Sequence, residues 1–237
     1  MITREPLRPA TFFSEKLSYV DEVIDTRNEK LRESLKRPQI LLHANFRDRY
    51  EQIFVGYSLG ESPDRLAARF PVVIDAYEAY ILNPKHEATD IAALDDYVVS
   101  LWLVSFAILF RVEDSLWQRL LSCIGNEGRD VLLEALAATR SPNRAKADGL
   151  LHPRIFQPLT EAIGVEGDKR GDLVKEYLAS WYSALRNAYW IGTHVRPDGA
   201  GFFGYWAMEV AGIVKAFDMD DSAFRDMPYY PRDLVRN

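Results

Sequence analysis

Apolar residues recur at three- and four-residue intervals along almost the whole chain, the spacing of one helix face. Phe13, Leu17, Val20, Ile24, Leu31 and Leu35 line a long first helix whose other positions are filled by Asp, Glu, Lys and Arg. Pro38 is expected to end it, because the proline ring clashes with the preceding turn. Leu42, Phe46, Tyr50, Ile53 and Tyr57 predict a second helix from about Gln39, with Gly60 as its stop. Ser62-Pro63 is a start signal, serine as the cap and proline in the first turn. Leu66, Phe70, Val73, Tyr77 and Ile81 carry the third helix to Asn83-Pro84, with Pro71 inside it as a kink site.

The polar run Lys85-His86-Glu87-Ala88 is the predicted boundary between an N-terminal domain, 1–86, and a C-terminal domain, 87–237. Thr89 or Asp90 is placed to cap the next helix. Its second half, Tyr97 to Phe110, is apolar all round, which makes it the central helix of the second domain. That run has 14 residues, too few to span a bilayer. Further helices are predicted from Asp114 or Ser115, around Val131–Leu136, over 154–163, and through Val174, Tyr177, Leu178, Trp181 and Leu185. A polar loop, 140–153, and a glycine-rich segment, 191–204, interrupt the pattern. A last helix is expected from Phe203 to Phe217, then a short turn capped by Asp220 or Asp221. The tail, 228–237, is too apolar to hang free. It predicts a strap folded back on the bundle, with the Tyr229 or Tyr230 ring in a groove beside the last helix and Asp233 pairing with a base or capping a helix. No strict apolar–polar alternation bounded by turn signals occurs. The fold class is all-α, about nine to ten helices in two packed subdomains with an irregular C-terminal strap.

Composition narrows the function. At 237 residues, 48% hydrophobic and 27% charged, the chain is globular. Its 29 basic and 35 acidic side chains argue against a protein that binds nucleic acid directly. Residues 1–86 hold 13 of each sign, so the net −6 falls in 87–237. A single cysteine, Cys123, allows no intrachain disulfide, and the opening residues lack the apolar core of a secretory signal. A cytoplasmic protein without a membrane partner is expected.

Candidate chemistry is sparse. Gly199, Gly201 and Gly204 spell GxGxxG before a helix. A dinucleotide site needs a buried strand upstream to deliver the pyrophosphate to the helix N-terminus. THVRPD stands there instead, and Phe202 and Phe203 crowd the approach. The bland reading is a loop whose glycines let aromatic rings pack. His43, His86, His152 and His194 form no metal-ligand spacing. GxSxG is absent, as is the [DE]-x-K of restriction-type nucleases. No cofactor, metal site or catalytic residue is predicted. The acids Asp95, Asp96, Glu113, Asp114, Asp218, Asp220 and Asp221 suit helix capping first, without excluding a part in binding, and Asp226 lies near the last of them. The aromatic set Trp181, Tyr182, Tyr189, Trp190, Tyr205 and Trp206 reads first as core.

The stretch from Phe202 to Val235, with its GYWAxE and PYYPxDL elements, resembles the bacterial PoNi family of immunity proteins to polymorphic nuclease toxins. Tyr57-Ser58-Leu59-Gly60-Glu61 resembles the YSxGE element of the family's N-terminal domain. Trp181-Tyr182 with His194 resembles its tryptophan-rich helix and following histidine. The signature positions are Tyr57, Gly60, Trp181, His194, Gly204, Tyr205, Trp206, Glu209, Asp221, Tyr229, Tyr230, Pro231 and Asp233, expected mainly to hold the fold. The resemblance implies a non-catalytic helical protein that binds and blocks a DNase toxin of a contact-dependent, type VI secretion system. The eight acids named above are then the candidate toxin-binding residues, because a DNA-cleaving partner presents Lys and Arg to phosphates. The alternatives are a small-molecule-binding or enzymatic helical protein using segment 191–204, and an adaptor bundle with no toxin.

Overall fold

A computed structural model describes residues 3–33, 36–86 and 89–236, and all statements here concern those residues. They form nine α-helices and two short 3-10 turns, with no strand. No helix is long and apolar enough to cross a membrane. Two compact units result, each drawn from three stretches of chain: 1–88, 113–123 and 193–205 make the first, and 89–112, 124–192 and 206–237 the second.

In the first unit α1 (Ala10–Leu31) and α3 (Pro63–Ile81) both pack on α2 (Pro38–Leu59), and α5 (Asp114–Ile124) contributes all but its last residue. The Ser62 hydroxyl caps α3, accepting the Arg65 N–H at 3.4 Å. Helix α1 ends at Leu31, short of the expected stop at Pro38; Pro38 instead stands in the first turn of α2, where its missing N–H costs nothing. Leu35 lies outside the described residues.

The α1–α2 seam is polar. Phe13 and Ile24 are the fully buried residues of α1, whereas α2 buries Asn45, Asp48, Glu51 and Gln52. Arg27 pairs with Asp48, and Arg47 Nε lies 3.6 Å from Asp48 and 3.8 Å from Glu51. Asn45 donates to Asn28 (2.9 Å), and Gln52 to Asp21 (2.8 Å). Burial lowers the Lys16 ammonium pKa, against the opposing pull of Glu51 and Asp48. Buried polar groups of this kind are tolerated because each meets a partner.

The second unit is built on α4 (Leu94–Leu109), whose residues from Tyr97 onward are nearly all buried. Its predicted cap moves: Ala93 precedes α4, and Asp90 holds the turn before it through the Ala92 N–H (3.1 Å). Helices α6 (Val131–Ala138), α7 (Pro153–Ile163), α8 (Asp168–Ala184) and α9 (Met208–Ala216) complete it. Helix α4 packs on α9 and α6, and α7 on α8. The α4–α9 approach is close: a Cβ at Gly212 would overlap the Ser105 side chain. Glycine inside a helix costs about 1 kcal/mol against alanine, so tight packing has to offset it.

Helix α9 starts five residues later than the expected Phe203. Residues 202–207 are not helical although six in a row are buried. In the first unit Ser58 Oγ donates to the Phe203 carbonyl (3.0 Å) and the Phe54 ring sits 5.0 Å from that of Phe203, so this backbone is held by α2. Apolar continuity alone could not reveal that.

Candidate functional site

Glu209 lies in the first turn of α9, 1% exposed. Its carboxylate accepts three neutral donors: the Trp102 indole N–H of α4 (3.0 Å), and from α8 the Trp181 indole N–H (2.6 Å) and Tyr177 hydroxyl (2.8 Å). Burial raises its pKa, while its own backbone N–H and the three side-chain hydrogen bonds pull it back down. Trp190 stacks obliquely on both Trp102 and Trp181, at 5.3 and 5.2 Å. The three donors come from α4 and α8 to a buried carboxylate on α9, so the centre ties three helices together.

A second cluster closes the first unit. Glu5 accepts the Tyr205 backbone N–H (3.0 Å) and the Leu7 N–H (3.0 Å); burial raises its pKa, and those two bonds and the His194 charge oppose the shift. The Tyr205 hydroxyl accepts the His194 N–H (3.3 Å) and lies 2.9 Å from His194 Nδ1. The Arg8 guanidinium donates to the carbonyls of His194 (2.8 Å) and Arg196 (2.6 Å). Arg4 stands 4.5 Å above the Tyr57 ring and donates to the Tyr57 and Glu61 carbonyls. Within this frame the GxGxxG loop is filled from inside. Gly199 sits at φ 64°, where a Cβ would overlap the Phe12 ring, and Phe202 and Phe203 are buried. A 3-10 turn at Thr193–Val195 precedes the loop, not the strand a phosphate site needs.

The tail forms the predicted strap. Tyr230 is buried; its hydroxyl donates to Asp221 (3.2 Å) and its ring meets Phe224 edge-on at 5.2 Å. Tyr229 lies over Trp181 (5.0 Å) and Tyr182 (6.0 Å), and its carbonyl accepts the Ala207 N–H at the start of α9 (2.9 Å). Pro231 and Leu234 are buried, and Lys215 donates to the Val235 carbonyl (3.0 Å). Asp233 is exposed, 4.0 Å from Arg232. Gly60 terminates α2, Gly204 takes φ 102° between buried Phe203 and Tyr205, and Trp206 is buried in the second unit. Most signature positions are thus engaged by the fold.

The candidate binding acids divide by the same criterion. Asp221 is buried, accepting Tyr230 and pairing with Arg225. Asp95 and Asp96 are half-buried and accept the Tyr189 and Asp90 N–H groups. Glu113 and Asp114 are exposed around the start of α5. Asp218, Asp220 and Asp226 are exposed within nine residues of one another. The Ser222 N–H and hydroxyl hold the Asp220 carboxyl below its usual range, keeping it charged, and Asp226 pairs with exposed Arg232. Regrouped by unit, the charge asymmetry shrinks: the first holds 15 basic and 17 acidic residues, the second 14 and 18. Sequence inspection marked Glu209 as a signature position but not its role, since Trp102 lies 107 residues away.

Comparison with known proteins follows the same architecture. Protein PA2201 from Pseudomonas aeruginosa has a similar fold, with a TM-score of 0.74 at 17% identity over 98% of this chain and 90% of that one. No curated protein matches the sequence. The profile of PoNe immunity proteins (PoNi), N-terminal, matches residues 4–122, and its C-terminal counterpart matches residues 128–234. With both halves matched in order, the chain belongs to the family of PoNe immunity proteins.

Proposed function

We propose that this immunity protein neutralises a nuclease toxin, a DNase delivered by a contact-dependent secretion system, through direct cytoplasmic binding in which exposed carboxylates of the second unit meet the toxin's phosphate-binding bases. The observation that carries the reading is the contrast around the last turn. Asp221 is consumed by Arg225 and Tyr230, while its neighbours Asp218, Asp220 and Asp226 remain at the surface. A nuclease must present Lys and Arg to DNA, and opposite charge speeds encounter and sets orientation. No catalytic step is assigned to the protein itself.

The test uses the cognate nuclease toxin, which the gene next to this one is expected to encode. Wild-type protein is expected to bind it and to stop its cleavage of plasmid DNA. The combined variant Asp218→Lys, Asp220→Lys, Asp226→Lys is expected to associate at least about tenfold more slowly at low salt, the difference narrowing at high salt. The same reversal at Glu113 and Asp114 measures the exposed acids near α5. An affinity insensitive to salt and to both reversals would replace the electrostatic account with an apolar contact.

A further inference from the structure

Helix α1 sorts its charges by direction. Of its bases, Lys16 and Arg27 turn toward α2, where Asp48 and Glu51 stand. Glu15, Ser18, Tyr19, Glu22, Asp25, Thr26 and Glu29 are all exposed. At 100° per residue these seven fall within about a third of the helix circumference, opposite Phe13 and Ile24. Among the described residues none of the four carboxylates takes part in an ion pair. Lys30, at the edge of the stripe, is the one exposed base of the helix. From Glu15 to Glu29 the stripe runs about 21 Å at 1.5 Å per residue. One turn in from its N-terminal end stands Tyr19, 66% exposed, third among the exposed large apolar side chains after Leu82 and Val195.

A stripe of acids on a solvated helix is ordinary. Two features are not: the bases that would neutralise it are spent inward on α2, and a large aromatic side chain is left in water among the carboxylates. Tyrosine is among the residues that most often anchor protein interfaces, with a ring to bury and a hydroxyl to pair. A row of fixed negative charge extended over several ångströms is also what a nuclease's DNA groove is built to receive.

We propose that the outer face of α1 is a docking surface for the basic, phosphate-binding groove of the nuclease toxin, its carboxylates occupying the positions of backbone phosphates and Tyr19 anchoring the contact. This rests on the proposed function and adds to it a second surface, on the first unit. The net zero charge of residues 1–86 conceals this face, because the sum counts inward bases against outward acids.

The experiment measures association and dissociation of full-length protein with the same nuclease at two salt concentrations. One variant carries Glu15→Lys, Glu22→Lys, Asp25→Lys and Glu29→Lys. A second carries the neutral set Glu15→Gln, Glu22→Gln, Asp25→Asn and Glu29→Gln, and a third Tyr19→Ala. Thermal melts confirm that each is folded, as exposed positions allow; the neutral set keeps the test open if the lysine variant does not fold. Association is expected to slow at least about tenfold with the lysines and less with the neutral set, both at low salt. Tyr19→Ala is expected to speed dissociation by about 30-fold, the scale of an interface anchor. Wild-type rates in folded variants would overturn the α1 surface while leaving the toxin-binding reading intact. Failure of the wild-type protein to bind the nuclease would overturn both.

Discussion

Between α1 and α2 buried charge is met by opposite charge; beneath α9 it is met by neutral donors. The first seam joins Arg27 to Asp48 and Arg47 to Asp48 and Glu51, and every one of these side chains keeps some contact with water. The second buries Glu209 in indole and phenol hydrogen bonds, with no ion pair to it among the described residues. Ion pairs can exchange partners and are screened by salt. A carboxylate locked by three fixed rings can do neither. The difference teaches where each unit is expected to adapt: exchangeable ion pairs join α1 to α2, whereas one buried carboxylate ties α4, α8 and α9 to a common centre.

The largest break is expected at Glu209. Glu209→Leu strands two indole N–H groups and a phenol in the core, at about 1–3 kcal/mol each, so a loss of at least about 3 kcal/mol is expected from urea unfolding. Glu209→Gln keeps the shape and an acceptor but sets an amide N–H against donors, and is expected to cost less. Across the other seam, Arg27→Ala leaves Asp48 with Arg47 alone; about 1–3 kcal/mol is expected. A double-mutant cycle with Asp48→Ala isolates the pair, and an additive result would show that the seam holds by packing alone.

Next in size is local opening. With Phe13 and Ile24 as the fully buried side chains of α1, its amides are expected to exchange with deuterium well before those of α4. Raising salt should widen that gap. Equal protection would erase the contrast.

The smallest effect is pH dependence. Folding raises the pKa of Glu209, so the native state holds its proton more tightly than the unfolded chain. Its contribution is greatest below the ordinary carboxylate value and is lost as pH rises through the folded value. Wild-type stability measured between pH 4 and 7.5 is therefore expected to lose, relative to Glu209→Gln, a share that grows with pH. A difference that stays flat would mean the hydrogen bonds to the carboxylate, from the backbone and the three rings, fully offset burial.

Helix α3 was legible because all its signals are local: the serine cap, the proline beside it and an apolar period bounded by Asn83-Pro84. The strap was legible because two tyrosines and a leucine in a tail need somewhere to go. The start of α9 was not, since residues 202–207 are apolar enough to pass for helix and are held otherwise by distant groups: Ser58 on Phe203, Glu5 on Tyr205 and the Tyr229 carbonyl on Ala207. Asp221 stood both as a binding candidate and as a fold-holding signature position; its bond to Tyr230, which decides for the fold, forms through a turn whose path sequence does not state. The outer face of α1 was hidden by adding charges along the chain when direction was the quantity that mattered.

The bond from Glu5 to the Tyr205 N–H spans 200 residues. A ribosome adding about 5–20 residues per second makes the second partner some 10–40 s after the first. Throughout that interval α1, α2 and α3 exist without the segment that closes their unit, and the other unit still waits for the strap behind Tyr230. Neither half of this protein is finished early. A chain that stops before Tyr230 therefore lacks the contacts that close its second unit, and one that stops before Tyr205 lacks those that close its first.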